Sequence, residues 1–425
     1  MGADHVNRAS CRSYLSIWAV AAAVRLLYLL AARPPFTIYN WDAASSLLEN
    51  GSLSIEGIKT AALEPLYPLW LASARLLVGE RPLLVQALQA LVASAGAVYL
   101  FKLAVALTGR NQVGAAAAAL FAGYPLLIRH SVDGTESALV TTLLIAFSYR
   151  FITARTATDA TVAGALLGFA VLTRAVAAPL LVLAPLAAAA KNRRAALLMA
   201  GSAVVVLAPY MIRNYVLSNG VVPARAGVAL FIGNNEYTAG IIPQHGPDIV
   251  VPYYASRLVD QGLAGFAPTP LTEREIDDAF RRLAYAEIRS RPFDTLWLKV
   301  RNLFYFFSPA LVPHRTTTAA TTIYLGANGK STVEHSVQRP LGDRLAYSVS
   351  YSIVVALAVV GVYHRRNDLK ADALLWWTLV TFAAVHAVFF PATRYRAPVE
   401  FVLLFYAAVG AVAGLESYRR GRNQA

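Results

Sequence analysis

Ten stretches nearly free of charge recur along this chain, at 14–32, 82–101, 112–128, 137–149, 160–173, 175–190, 195–212, 345–363, 373–393 and 401–415. A helix crosses the hydrocarbon of a bilayer with roughly 17–25 apolar residues, so several of these runs suffice alone. In lipid the backbone must satisfy its own polar groups, which leaves helices as the form such runs can take. Composition agrees: 57% of residues are hydrophobic and 15% are charged, where a soluble domain carries about a quarter charged. The expectation is an all-α polytopic membrane protein of about ten transmembrane helices, with amphipathic surface helices and one large extracytoplasmic loop.

The net charge of +14 does not point to nucleic acid, because the basic residues cluster at alternate ends of the apolar runs. Arg8 and Arg12, Arg110, Arg150 and Arg155, Lys191 with Arg193 and Arg194, Arg365 and Arg366, Lys370, and Arg419, Arg420 and Arg422 form these clusters. That alternation is the positive-inside pattern, and it places both termini in the cytoplasm. The first run is too long for a signal-peptide core, although Arg8 and Arg12 precede it. Cys11 is the only cysteine, which excludes an internal disulfide and a thiolate metal site.

Three regions follow: a transmembrane module over 1–217 with a first extracytoplasmic loop at 33–81, an extracytoplasmic and interfacial region at 218–344, and C-terminal transmembrane helices over 345–425. The short runs 160–173 and 175–190 either cross twice or form a re-entrant hairpin, and parity is the same for both. The segment LWLKVRNLFYFFSPALVP at 296–313 carries Lys299 and Arg301. Its charges belong at headgroups and its aromatics at the acyl boundary, so it reads as interfacial.

With this orientation Asp42, Glu64, Asp133, Glu136, Arg213, Arg394 and Arg396 fall at outer helix ends or in outer loops, and Arg174 lies between the two short runs. Loop 33–81 reads as two amphipathic pieces near 42–50 and 65–78. Asp42 is either a functional carboxylate or the N-cap of the helix AASSLLEN. Asp133 or Thr135 has the same alternative, as a cap for the helix beginning near 137. In LTEREIDDAFRRLAYAEIRSRP, Thr272 and Glu275 form a capping box for an amphipathic helix ending before Pro292. The GNN at 233–235 serves either turn chemistry or recognition of a sugar or phosphate. Arginines at helix ends also snorkel to headgroups, and Arg25 inside the first run either pairs internally or reaches a headgroup.

Several short stretches, in order, resemble the GT-C superfamily of integral-membrane glycosyltransferases. They are Asp42 with GSLS behind it, EPLYPLWLA at 64–72, HSVDGTESALV at 130–140, LTRA at 172–175, RNYVLSNGVVP with FIGNN over 213–235, and RYRAPVEF at 394–401. The likeness is to the aminoarabinose-transferase and protein-mannosyltransferase branch, glycosyltransferase family 39, and runs from about residue 14 to 415. Ala175 replaces a usual proline, and Ala43 replaces the glutamate of the mannosyltransferase Asp-Glu pair.

The resemblance implies an inverting transfer of a sugar from a polyprenyl-phosphate donor to a lipid, glycan or protein acceptor. The reaction would take place at the outer face of a membrane, in bacteria the inner membrane. It implies Asp42 as catalytic base and Glu136 as the second acidic position, holding acceptor hydroxyls or a divalent metal ion. Tyr67, Asp133, Arg174, Arg213, Asn234, Asn235, Arg394, Tyr395 and Arg396 are the implied substrate-binding residues, with Arg394 foremost for donor phosphate. The competing classes are a secondary transporter, which would show paired repeats and polar groups near the midplane where no repeat is visible, and another polytopic membrane protein, a scaffold or an enzyme of unrelated lipid or cell-envelope chemistry.

Overall fold

The computed structural model describes residues 2–36, 39–190, 192–246, 249, 251–263, 269–317, 321–325 and 331–424. Lys191 of the fourth basic cluster lies outside the described residues, as do the side chains of Arg8 and Cys11. The first half comprises α1 (Gly2–Ala32), α2 (Tyr39–Asn50), α3 (Leu66–Val78), α4 (Pro82–Thr108), α5 (Asn111–Gly123), α6 (Pro125–His130), α7 (Ser137–Thr153), α8 (Ala157–Thr173), α9 (Leu180–Ala189) and α10 (Arg193–Ser218). The second comprises α11 (Ala226–Asn234), α12 (Thr238–Ile241), α13 (Val251–Asp260), α14 (Pro270–Ser290), α15 (Pro292–Phe306), α16 (Leu341–His364), α17 (Ala373–Val388), α18 (Thr393–Arg396) and α19 (Glu400–Gln424).

Five helical stretches are long and apolar enough to cross a membrane: Arg12–Ala32, Pro82–Thr108, Arg193–Ser218, Leu341–His364 and Thr393–Arg420. The chain is thus a multi-pass helical membrane protein. A count of ten also requires crossings by shorter helices such as α7 and α8. At 17 residues each and 1.5 Å per residue they fall a little short of a hydrocarbon core of about 30 Å. The all-α description needs one addition: antiparallel two-stranded pieces stand in the loops, Ser54–Ile55 with Ile58–Lys59, Arg315–Thr316 with Val337–Gln338, and Thr322–Leu325 with Ser331–Glu334.

Contacts sort the helix ends into two sets, as the alternation of basic clusters requires. At one end Arg110 pairs with Glu416, and Arg150 lies 3.6 Å from Asp159. There Arg365 also makes two 2.7 Å bonds to Asp372, which accepts a further bond from Tyr406. At the other end the backbone N–H of Ala224 donates to Ala61, and Thr393 donates to Val312. Helices α16 and α19 approach closely. A Cβ on Gly361 would collide with the carbonyl of Tyr406, and one on Gly410 with that of Leu357. Small residues let two membrane helices approach where no hydrophobic drive is available.

The run 112–128 is broken into α5 and α6 at Pro125. Proline has no N–H to offer the carbonyl four residues back, which is that of Phe121. Fully buried Arg25 supplies the missing donor: it bonds Phe121 O at 3.3 Å and Ala21 O at 3.1 Å, with its guanidinium 5.1 Å from the Phe121 ring. The costly charge within α1 is therefore spent on a backbone group, and no acid partners it among the described contacts.

The region after α10 packs onto the first loop. Helix α14 begins at Pro270, with the Thr269 side chain accepting from the backbone of Thr272. The expected capping box at Thr272 and Glu275 is therefore displaced: a proline at the first helical position and a threonine before it make a better start. Fully buried Asp277 accepts from the N–H groups of Gly227 and Val228 at 2.7 and 3.1 Å, closing the N-terminus of α11. Helix α15 exposes Phe293, Leu296, Trp297 and Phe304 along one side, while Leu298, Asn302 and Phe306 are buried on the other. An apolar exposed stripe on a 15-residue helix is what an interfacial helix presents to lipid.

Candidate active site

The acidic loop before α7 is built by Asp133. One of its oxygens accepts from the Thr135 N–H at 3.0 Å and the Thr135 hydroxyl at 2.7 Å, while the other is 2.5 Å from His130 Nδ1. Gly134 takes the left-handed conformation at φ 74°, which a side chain would resist. The structure gives neither Asp133 nor Thr135 a helix cap. Asp133 shapes the turn, and Glu136, the residue before α7, makes no capping bond with its side chain.

Glu136 instead faces Arg174, with Nη1 and Oε1 3.4 Å apart. Arg174 follows the last turn of α8 in an extended conformation, its N–H bonded to Ala170 O at 2.9 Å. Its guanidinium lies 4.6 Å from the centre of the Tyr395 ring. That ring is parallel to His386 at 4.6 Å, and His386 in turn lies against Phe306 at 6.0 Å. Exposed Arg394 donates to the Tyr395 hydroxyl at 2.8 Å. The chain of rings fixes a cation whose one carboxylate partner among the described residues is Glu136.

Glu64 joins the same place from the first loop, accepting from the Ala175 N–H at 3.4 Å. Burial pushes its carboxyl above the ordinary glutamate range, against the pull of Arg225, while neighbouring Glu136 pushes the same way. Four chain segments thus bring Glu64, Glu136, Arg174 and Tyr395 together. Beneath them Tyr67 is buried, its hydroxyl donating to Gln89 Oε1 at 2.7 Å. Gln89 reaches on to the carbonyls of His130 and Thr135. Burial, with Asp133 and Glu136 close by, holds the Tyr67 hydroxyl well above its ordinary pKa. Tyr67, expected as a substrate contact, is held through Gln89 as a support under the acidic loop.

Asp42 lies in the first turn of α2, which begins at Tyr39; the expected cap position is thus three residues inside the helix. It is exposed, while Ala43 and Ala44 behind it are fully buried. Arg75 pins α2 to α3 by bonds to Trp41 O at 3.2 Å and Ser45 Oγ at 2.8 Å, with its guanidinium 4.3 Å from the Trp41 ring. Ala44 packs with Tyr67 in the same apolar cluster. Among the described residues the Asp42 carboxylate makes no ion pair or hydrogen bond, to Glu136 and Arg174 or to any other group.

Four other expected contacts are engaged in holding the scaffold. Arg213 donates to Thr60 O and Leu53 O, each at 3.0 Å, clamping the first-loop hairpin to α10. Buried Asn234 donates to Leu230 O and Val388 O, and buried Asn235 to Phe231 O and Ile232 O while accepting from the Tyr237 N–H. GNN is thus the end of a helix: Gly233 and Asn234 close α11, and Asn235 is its C-cap. Arg396 is fully buried, bonded to Glu400 at 2.6 Å, to the carbonyls of Phe306 and Ser308, and to the Tyr347 hydroxyl. Four bonds thus engage the five N–H donors of this fully buried side chain internally.

Glu64 and His386 were not singled out as site residues by sequence. A polar signal existed for both: Glu64 opens the segment EPLYPLWLA, and His386 is the one ionisable residue in its apolar run, where such residues are costly. Among the described residues no three His, Cys, Asp or Glu side chains gather where they would hold a metal ion.

No family model matches the chain, and no curated protein matches it. Among solved structures it is similar to ArnT from Cupriavidus metallidurans in the apo state, with a TM-score of 0.41 and 15% identity over 95% of this chain and 78% of that one. It is also similar to the Archaeoglobus fulgidus oligosaccharyltransferase in complex with Zn and sulfate, with a TM-score of 0.45 and 12% identity over 95% of this chain and 49% of that one. Arabinosyltransferase EmbB from Mycobacterium smegmatis is similar with a TM-score of 0.37 and 13% identity, over 94% of this chain and 41% of that one.

Proposed function

We propose that the chain is a GT-C-type inverting glycosyltransferase that moves a sugar from a polyprenyl phosphate to an acceptor hydroxyl, amine or phosphate group. The reaction takes place on the outer face of a bacterial inner membrane. One observation carries the reading: Arg174, stacked on Tyr395 beside Arg394, keeps donors to spare at the bundle end opposite the basic clusters. The sequence stretches that resemble the GT-C superfamily meet at that same end.

In a transfer to a hydroxyl, the acceptor O–H proton passes to the Asp42 carboxylate as the oxygen attacks the anomeric carbon. The bond from that carbon to the phosphate oxygen breaks on the opposite side, and configuration inverts. The lipid phosphate leaves as an anion and needs no general acid, unlike the leaving group of a glycosidase. Arg174 and Arg394 meet the charge that develops on it, a role that fits guanidinium geometry. Glu136 orients Arg174, and Glu64, held beside them by the Ala175 N–H, faces an acceptor hydroxyl.

The test is Asp42→Asn in full-length protein reconstituted into nanodiscs. Transfer from a radiolabelled polyprenyl-phosphate sugar into envelope glycolipids should fall about 10²–10⁴-fold, the usual worth of a general base, with the melting temperature unchanged. Undiminished transfer would remove Asp42 from the reaction. Substrate flux through liposomes without any lipid donor would favour a transporter.

A further inference from the structure

A cleft of about 350 Å³ opens between the 310–314 segment, residue 338 and the first turns of α16. Its polar wall is contributed by Gln244, His314, Gln338, Arg344 and Ser348, and its apolar wall includes Leu311 and Leu345. Leu345 belongs to a row on α16, Leu341, Leu345, Val349 and Ile353, all more than half exposed. Positions four apart share one helix face, so this row runs from the cleft down the length of a membrane-crossing helix.

The polar groups are prepared for a ligand with hydroxyls and negative charge. His314 Nδ1 lies 2.6 Å from the Leu311 carbonyl. A carbonyl only accepts, so Nδ1 carries the proton and Nε2 is left as the ring's acceptor in the neutral form. Gln338 accepts from Arg344 through Oε1 at 3.2 Å, which leaves its amide NH₂ as donor. Charge around the cleft is positive: Arg129, Arg339 and Arg344 outnumber Asp343, which is itself paired with Arg129 at 3.1 Å. Arg339 bonds Pro313 O at 2.8 Å and thereby borders His314.

We propose that this cleft binds the headgroup of an anionic, hydroxyl-bearing membrane lipid, whose chains lie along the exposed row of α16. It is separate from the Arg174–Glu136 pair but adjoins it. Val312, in the cleft wall segment, is bonded through both its N–H and its carbonyl to Thr393, the residue before Arg394. Binding here goes beyond the transfer reading and does not depend on turnover.

The test uses full-length protein in nanodiscs doped with phosphatidylglycerol bearing a diazirine in its acyl chain, or with the matching phosphatidylcholine. Photolabelling by phosphatidylglycerol should map to 341–353 and exceed that by phosphatidylcholine. Arg344→Gln and the cleft-filling Ser348→Trp should each reduce it about tenfold, the worth of one charge-assisted hydrogen bond. Equal labelling by the two lipids, or labelling unchanged in both variants, would overturn the proposal. So would displacement of the lipid by free glycerol 3-phosphate at equal concentration, since the site would then be one for a soluble anion. Because the readout is labelling, loss of the Asp42→Asn effect on transfer would leave it untouched.

Discussion

Arg174 and Arg396 stand 222 positions apart in sequence terms yet share a description: a buried guanidinium, a glutamate partner and a tyrosine face. They differ in what is left over. Arg396 and Glu400 are both fully buried 2.6 Å apart, and two carbonyls and the Tyr347 hydroxyl accept three further bonds from the guanidinium. Arg174 holds Glu136 at 3.4 Å, and that glutamate is 29% exposed. A cation fully buried among internal acceptors maintains a fold, whereas a cation with unused donors near a bundle end is available to an anion.

Three experiments can break or sharpen that contrast. Arg396→Met should have the largest effect, about 3–5 kcal/mol of stability, because it strands Glu400 as a buried charge. The reading is a melting temperature in detergent, and pairing the change with Glu400→Met should restore most of the loss. Lost transfer with an unchanged melting temperature would place Arg396 in the site after all. Arg174→Lys should act oppositely. Transfer should drop about 10²-fold, as when one oriented donor to a developing anion is removed, with the melting temperature held. A parallel fall in melting would make Arg174 a structural residue.

Lys299 provides the smallest effect and a control on burial itself. Its ammonium donates to Gly233 O at 3.3 Å, and burial lowers its pKa from 10.5 to about 8. Below about 8 both folded and unfolded chains carry the charge, and the folded one bears the cost of burying it. Between about 8 and 10.5 the unfolded chain binds a proton that the folded one has released, so stability rises with pH across that window. Lys299→Met should flatten the rise in melting temperature measured from pH 8 upward. An identical slope in the variant would show that the cation is solvated.

Much of the architecture was legible before any contact was known. The apolar runs, the alternating basic ends and the gathering of Glu64, Glu136, Arg174 and Arg394 at one end all follow from where charge is tolerated. Some local details were misread. The start of α14 moved to Thr269 and Pro270, and α2 began before Asp42, because neighbouring residues compete for a helix start and their order decides it. Arg394 and Arg396 could not be told apart by pattern. Residues two apart on a short helical turn point in different directions, one outward and one into Phe306, Ser308 and Tyr347.

Sequence alone determined that this chain lives in a bilayer and which helix ends lie together, since the partition of charge between lipid and water acts on each segment separately. Tertiary structure decided which polar groups remain available. That depends on partners as far away as the 90 positions between Arg396 and Phe306, and a guanidinium binds a substrate only with the donors that folding has not already consumed.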